Sequence, residues 1–318
     1  MLIHHLRASR RAPVLLIVLV AACAALAGCG EGPSQVGAAA IVGSDTVSLS
    51  AVQRQVDSVL GNPEVASRVS HAGATPADVA RLMVSRDVQH LLLTEAARRE
   101  GIVVDERQVD AVLGEQGVAA KLAGTFVFDP ASARDAVRDQ LISKALTTKY
   151  LDRLNVTADL VQVSTRSEAE ATARQLAAGG AQAQAALANG DPGTTQAGLK
   201  LRAAALPQLA GSPIFGTPAG QVIAIQGDPS YPWMVVRVTD RRLDGPAVTD
   251  PGPSAMSQLD DRSISVIGRR LTQPLSEELG VRVNPRYGAW DPVALGVLPP
   301  DQATSMILPA AKTAGQNP

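Results

Sequence analysis

The sequence predicts an α+β fold in which a mostly helical domain, formed by N- and C-terminal segments, carries an inserted α+β domain. Apolar residues recur every three or four positions between residues 49 and 154, which is the spacing of amphipathic helices. Runs with strand character follow at Leu160–Val163, Gln221–Ile225 and Trp233–Val238. A further stretch with helical spacing then lies between Met256 and Leu271.

The first 28 residues have the layout of a secretory signal peptide. Three arginines precede an apolar run over 14–20, and small residues follow it. That run is too short and too interrupted to predict a membrane span. The tetrapeptide Leu26-Ala27-Gly28-Cys29 resembles a bacterial lipobox, which implies that Cys29 is diacylated and becomes the first residue of the mature chain. The alternative is a signal peptide cleaved elsewhere, with Cys29 present by chance.

The two cysteines support the lipidation of Cys29. Cys23 lies inside the leader, so Cys29 is the one cysteine that the mature chain keeps, and no disulfide within the chain is expected. Residues 29–37 contain Gly, Pro and Ser and are predicted to be a flexible tether. We therefore expect a protein outside the cytoplasm that is anchored to the cell membrane by a lipid.

Composition and motifs exclude several classes of function. Hydrophobic residues make up 46% of the chain but aromatic residues only 3%, so the core is expected to consist of Ala, Val and Leu. A formal net charge of −1 offers no basic surface for nucleic acid. The sequence contains no paired-histidine metal motif, no Cys pair of the CxxC kind, no phosphate-binding glycine loop and no nucleophile elbow. We therefore predict neither a metal nor a cofactor.

Residues 38–155 are predicted to form the helical domain. Thr75-Pro76 is a typical helix start, because the hydroxyl can cap the helix and proline fits its first turn. Gly101 is expected to end that helix, and Asp105 to cap the next one. Asp129-Pro130 is expected to open a long helix in the same way.

Residues 156–243 are predicted to form the α+β module, which ends at a joint rich in Pro and Gly. Residues 254–298 are expected to give a C-terminal helix and an extended segment that pack on the helical domain. Pro274 should kink or end the helical stretch. Residues 299–318 are small and polar on average, so we predict a disordered tail.

Two segments resemble the SurA and PrsA class of envelope chaperones. Residues 40–50, with Ala40-Ile41-Val42-Gly43 and Val47-Ser48-Leu49-Ser50, look like the opening strand turn and first helix of that family. Residues 97–105, Ala-Arg-Arg-Glu-Gly-Ile-Val-Val-Asp, resemble its second signature, a helix that ends at Gly-Ile before a capped short helix. The resemblance implies a chaperone or foldase that binds unfolded exported polypeptides.

The middle module resembles a parvulin-type peptidyl-prolyl isomerase domain. The matching segments are Ser167–Ala171, Asn189–Gly193, Phe215–Val222 and Val235–Arg242. The family places one histidine on the first strand and another on the last. The histidines of this chain are His4, His5, His71 and His90, so none follows residue 100.

The missing histidines imply a degenerate isomerase domain. The family's polar residues are the two histidines and an Asp or Cys in the loop, and of these the resemblance leaves only Asp191. We expect Asp191 to be a turn residue, so no catalytic residue is predicted. The regions equivalent to the two histidine positions are Asp159–Gln162 and about Met234, and we expect Leu and Met to replace the buried polar pair. His71 and His90 are expected to have satisfied surface or core roles.

Four residues of the module are candidates for binding a peptide: Leu209, Phe215, Trp233 and Met234. Large side chains of this kind can line a groove or anchor a core, and both interpretations of Phe215 and Trp233 remain open.

The functional hypothesis is a membrane-anchored extracytoplasmic chaperone or foldase without prolyl isomerase activity. Its expected partners are unfolded or exported polypeptides, and the membrane through the N-terminal lipid. The alternatives are an active parvulin-type peptidyl-prolyl cis-trans isomerase, and a scaffold or adaptor lipoprotein dedicated to one envelope partner.

Overall fold

A β-hairpin and six helices make up the first half of the computed structural model, which describes residues 36–124, 130–226, 230–245, 254–299 and 305–309. The hairpin leads directly into the first helix, and the helices pack their apolar faces on one another. The elements are β1 (Ala38–Val42), β2 (Asp45–Ser48), α1 (Leu49–Leu60), α2 (Pro63–His71), α3 (Pro76–Glu100), α4 (Glu106–Gly114), α5 (Val118–Gly124) and α6 (Pro130–Tyr150).

Helix α3 is the central element of this helical body, and its ends are those predicted from the sequence. Thr75 and Asp78 form a capping box, in which the Asp78 amide donates to Thr75 Oγ1 over 3.2 Å and the Thr75 amide donates to Asp78 Oδ2 over 2.8 Å. Gly101 ends the helix with a φ of 65°, a left-handed conformation that glycine adopts without strain. Buried residues lie on most sides of the helix: Val79, Met83, Val84, Val88, Leu92, Leu93, Ala96 and Ala97.

The C-terminal elements return to this body and complete its small sheet. Strand β7 pairs antiparallel with β1, with Ile41 opposite Arg282, so the strand order is β2-β1-β7. Thr147 of α6 donates its hydroxyl to the Ile264 carbonyl over 2.8 Å and ties two helices together. The elements are a 3₁₀ turn (Ala255–Gln258), α10 (Asp261–Arg270), α11 (Gln273–Leu279), β7 (Val281–Val283), β8 (Ala289–Asp291) and β9 (Gly296–Leu298).

The middle of the chain forms an antiparallel five-stranded sheet with the order β10-β5-β6-β3-β4. Helix α7 covers one face of the sheet, and the other face packs on α9 and on Ile267 and Val293 from the C-terminal part. The elements are β3 (Asn155–Val163), α7 (Arg166–Ala178), α8 (Gly180–Ala188), β4 (Thr195–Arg202), α9 (Pro213–Gly216), β5 (Gln221–Ile225), β6 (Trp233–Arg242) and β10 (Ser305–Pro309).

Strand β10 contradicts part of the predicted disordered tail. Within residues 299–318, Ser305–Pro309 pairs antiparallel with β5, with Ile307 opposite Ile223. Met306 and Leu308 pack on the face covered by α7, and Ile307 packs on the other face. The tail is small and polar on average, and that average hides three consecutive apolar residues able to fill a sheet edge.

Strand β4 and helix α2 are among the other elements that the sequence-based prediction lacks. Strand β4 has no continuous apolar run, because it is an edge strand with exposed residues on both sides. Helix α2 is nine residues long and is capped by Asn62, which accepts hydrogen bonds from the Glu64 and Val65 amides. No helix among the described residues has the length and apolar character needed to cross a membrane.

Candidate functional site

A cleft of about 660 Å³ opens between α3, α6 and α10. Its wall alternates apolar side chains with amides, hydroxyls and arginines, a mixture that suits a polypeptide better than a purely apolar ligand. The wall residues that matter most below are Arg86 and Gln89 of α3, Ala136 and Asp139 of α6, and Val266 and Arg269 of α10.

A second cavity of about 340 Å³ adjoins this cleft on the side of the β-hairpin. Arg86, Ala136 and Asp139 line both cavities, so the two share a wall. The residues that line only the smaller cavity include Thr46, Gln55, Asp87, His90 and Asp135. We refer to the two cavities together as the helical cleft.

His90 and Asp139 form an ion pair within the helical cleft. Their side chains meet at 2.8 Å between His90 Nδ1 and Asp139 Oδ1, and both are partly buried. The hydrogen bond to Asp139 raises the pKa of His90. Burial raises the pKa of Asp139 above its usual range, although the contact with His90 opposes that shift.

Asp87 lies one helical turn before His90 and has a neutral partner. Its two carboxylate oxygens accept from Gln55 Nε2 over 3.2 and 3.4 Å. Burial raises the pKa of Asp87, and the Gln55 hydrogen bond offsets only part of that effect. Within the described ranges no Lys, Arg or His side chain forms a salt bridge with this carboxylate.

Arg269 lies on the other side of the helical cleft, and burial lowers the pKa of its guanidinium. Among the residues that the structure describes, no side chain accepts a hydrogen bond from it. Its neighbour Arg270 is fully engaged, because it donates to the Gly211 carbonyl, to Gln273 Oε1 and to the Val293 carbonyl. The charge of Arg269 is therefore directed at the cleft, while Arg270 holds the surrounding chain.

The described residues of the helical cleft form neither of two arrangements that support catalysis, a metal-binding cluster and a nucleophile with an adjacent base. Across the described ranges, no three His, Cys, Asp or Glu side chains come together as a group that could hold a metal ion. In the same part of the chain the His90–Asp139 pair forms no hydrogen bond with a Ser, Thr or Cys side chain, so it activates no nucleophile there.

The structure does not bring the four peptide-binding candidates of the α+β module into one groove. Phe215 is 1% exposed and belongs to the core, and Met234 packs on the same cluster. Trp233 lies on the opposite face of the sheet, where the Arg166 guanidinium is 6.0 Å from its ring. Leu209 is 55% exposed. Phe215 is therefore a core residue and does not line a groove.

A buried ion pair crosses the central strands of the module, on the sheet face opposite that of Met234. Asp159 of β3 stands opposite Arg237 of β6, and its Oδ2 accepts from Arg237 Nε and Nη2 over 2.8 and 2.6 Å. Its Oδ1 accepts from the Gly198 amide over 2.8 Å. Leu160 and Met234, in the regions that the resemblance aligns with the two histidines, pack on the apolar cluster of the other sheet face.

Asp191 has the geometry of a turn residue. Its Oδ1 accepts from the Gly193 amide over 2.8 Å, and its carbonyl accepts from the Thr194 amide over 2.9 Å. The side chain is exposed, and these bonds hold its own loop. Cys29, the predicted lipidation site, lies outside the described residues.

The cleft residues are not predicted as a site from the sequence. The sequence assigns His90 a satisfied role, and it does have a partner, but that partner lies 49 residues away in the chain. The sequence does contain a weak indication of this site. Asp87 and His90 are three residues apart and Asp135 and Asp139 are four apart, so each pair shares a helix face.

Comparison with known proteins gives similar solved structures, among them two PrsA proteins. No family model and no curated protein matches the chain. Peptidylprolyl isomerase PrsA from Bacillus anthracis shares 14% identity over 64% of this chain and 99% of that chain, with a TM-score of 0.23. Foldase protein PrsA from Streptococcus pneumoniae shares 14% identity over 76% of this chain and 94% of that chain, with a TM-score of 0.22. Similarity at this level does not establish a function.

Proposed function

We propose that this protein is an extracytoplasmic chaperone or foldase that holds unfolded exported polypeptides in the helical cleft. The observation that carries the proposal is the cleft itself, in which cavities of about 660 and 340 Å³ share one wall. We place the bound chain across both cavities, because three residues line both of them. A substitution of Ala136, which lines both cavities, can therefore test binding in the two cavities at once.

The lining supports a polypeptide ligand of variable sequence. Gln89 and Gln140 can exchange hydrogen bonds with the backbone of a bound chain, and Leu82 and Val266 provide apolar contact for its side chains. Ser265 can accept a hydrogen bond there, because its own proton is donated to the Asp261 carbonyl. Backbone hydrogen bonds are common to all sequences, whereas apolar contact favours chains that have not buried their own apolar residues.

The test uses the soluble chain that begins after Cys29 and a reduced, unfolded client protein. Ala136 lies in the shared wall, so Ala136→Trp is expected to fill both cavities and to abolish suppression of client aggregation. Ala131→Trp is the matched control, because Ala131 is exposed on the same helix. Equal suppression by both variants, or no suppression by the unmodified chain, would contradict the proposal.

The absence of prolyl isomerase activity is a second part of the proposal. Catalysis of isomerisation requires a pocket that favours the twisted imide, across a barrier of about 20 kcal/mol. Phe215 is packed in the core and Asp191 is held by its own turn, so neither supports such a pocket. Acceleration of a proline-limited refolding reaction that Asp191→Ala abolishes would favour the isomerase alternative.

Anchoring to the membrane through a lipid on Cys29 is the third part, and it rests on the lipobox resemblance. Cys29→Ser is expected to accumulate an unprocessed precursor that carries no lipid. Membrane fractionation with mass determination of the N-terminus measures both effects. A normally processed Cys29→Ser product that still fractionates with membranes would show that the anchor lies elsewhere.

A further inference from the structure

The two sides of the helical cleft carry opposite charge. On the α10 side, Arg269 has no hydrogen-bond acceptor among the described side chains. On the hairpin side, the Gln55 amide is the one described side chain that hydrogen-bonds to Asp87. We call the first the arginine end and the second the acidic end of the cleft.

The other ionisable groups of the cleft have polar partners within the protein, and those of Arg270 are neutral. His90 and Asp139 neutralise each other in the shared wall. Asp135 pairs with Arg138 at 2.6 Å on the same helix. Arg270 is held by the Gly211 and Val293 carbonyls and by Gln273. Arg269 and Asp87 are therefore charges of opposite sign that line the cleft and form no salt bridge in the part of the chain that the structure describes. Asp139 attracts Arg269, and Arg86 and His90 attract Asp87, from beyond salt-bridge distance.

Arg269 and Asp87 are both partly buried, so each charged group has lost part of its hydration. A charge that has lost part of its hydration gains more from an oppositely charged ligand group than an exposed charge does. An arginine can also bind both oxygens of one carboxylate, which adds geometric selectivity. A ligand that supplied an acidic group at one end and a basic group at the other would satisfy both residues.

We infer that the helical cleft selects polypeptide segments that carry an acidic side chain, bound by Arg269, and a basic side chain, bound by Asp87. The inference rests on the proposed function, because it takes an unfolded polypeptide as the occupant of the cleft. It adds a sequence preference: among unfolded chains of equal apolar content, those with both charges on one short stretch bind best. The apolar wall supplies the part of the affinity that does not depend on sequence.

Fluorescence anisotropy with four labelled peptides tests this inference. The peptides share one apolar sequence, are acetylated and amidated at their ends, and carry an acidic residue, a basic residue, both or neither. Capped ends remove the terminal charges, so any preference comes from side chains. For the unmodified protein we expect the peptide with both charges to bind about tenfold more tightly than the neutral peptide, and high salt to reduce that difference.

Variants assign each preference to one residue. Arg269→Gln should remove the preference for the acidic residue and leave that for the basic residue, and Asp87→Asn should do the reverse. Arg269→Lys keeps the charge and should retain most of the acidic preference, which separates an effect of charge from loss of folding. Arg262→Gln is the control, since Arg262 is exposed on the same helix as Arg269.

The outcomes separate the inference from the function on which it rests. Equal affinity of the unmodified protein for all four peptides overturns the charge preference and leaves the chaperone proposal standing. No binding of any peptide, the neutral one included, contradicts the chaperone proposal itself. A charge preference that Arg269→Gln and Asp87→Asn leave unchanged, or that Arg262→Gln removes, places the recognition outside the cleft and overturns the inference.

Discussion

Gly268 of α10 lies directly against the backbone of Ser143 in α6. A Cβ built on Gly268 would be 2.3 Å from the Ser143 carbonyl oxygen and 2.5 Å from its Cα. No real Cβ approaches backbone atoms so closely, so any larger residue must push the two helices apart. Because α6 and α10 both line the larger cavity, this contact helps to set the shape of the helical cleft.

Gly268→Ala is therefore expected to destabilise the protein by about 1–3 kcal/mol, the usual cost of overpacking. The free energy of unfolding from urea denaturation measures the effect. Gly114→Ala is the matched control, because Gly114 also lies in a helix but a Cβ added there would meet no atom within 4 Å. The control should be neutral or slightly stabilising, since alanine favours helix. Equal losses in both variants would contradict this account of the contact.

From the buried Asp159–Arg237 pair we expect removal of one partner to destabilise the protein more than removal of both. Arg237→Met leaves the Asp159 carboxylate, which is 4% exposed, without its cation and should cost about 3–5 kcal/mol. The double variant Asp159→Leu with Arg237→Met should lose less, because it leaves no unpaired charge. It should not reach the stability of the unmodified protein, since the Gly198 amide loses its acceptor.

Arg242→Met is the control for that series. Arg242 lies on the same strand and pairs with Asp240 at 2.9 Å, but both side chains are largely exposed. Its loss should cost no more than about 1 kcal/mol. Chemical denaturation of all three variants makes the comparison, and a double variant weaker than Arg237→Met alone would show that the ion pair is not the source of the cost.

His90 predicts a dependence of stability on pH. The hydrogen bond to Asp139 raises the pKa of His90, so the folded protein binds this proton more tightly than the unfolded chain does. Its contribution is fully present below the ordinary value of 6.5 and is lost as the pH rises through the raised pKa of the folded state. The groups that face it are Arg86, Asp87, Asp135 and Asp139.

His90→Gln is expected to lower the free energy of unfolding at pH 6 by about 1–2 kcal/mol, since a hydrogen bond between charged groups is lost. It should also flatten the fall in stability between pH 6 and 8. Urea denaturation across that range measures both effects. His71→Gln should keep the fall, because His71 is exposed on α2. An unchanged pH profile in His90→Gln would refute the assignment.

Strand β10 predicts that the last residues contribute to stability. A chain that ends at residue 304 loses the pairing with β5 and exposes the apolar surface that Met306, Ile307 and Leu308 cover. We expect a loss of about 1–3 kcal/mol and a greater tendency to aggregate through the open edge. A chain that ends at residue 309 keeps the strand and serves as the control. Equal thermal stability of the two truncated chains would contradict this role.

The sequence predicts helix ends well because their causes are local. The Thr75 hydroxyl and the Asp78 carboxylate cap amides within three residues, and Gly101 supplies a left-handed conformation that other residues adopt at a cost. Asp105 likewise caps the Arg107 amide. Helix α1 begins without such a cap, because the Ser48 hydroxyl hydrogen-bonds to Ser50 Oγ and to no backbone amide of the helix.

The α+β class could also be predicted, because hydrophobic periodicity distinguishes helices from strands along the chain itself. The pairing of β10 with β5 could not, because an edge strand is held by a partner that lies far away in the sequence. The same is true of Phe215, since its residue type fits a groove or a core and only its neighbours decide between them.

By itself, the sequence determined the fold class, the principal helix boundaries and the lack of histidines in the α+β module. Tertiary structure alone decided the site, since His90 meets Asp139 only when α3 packs on α6, and Arg269 faces the cleft only because Gly268 allows α10 to approach Ser143. The physical reason is the distance along the chain over which the interactions act. Caps and periodicity act within a few residues, whereas a cleft and its charges depend on contacts between segments that the chain brings together only on folding.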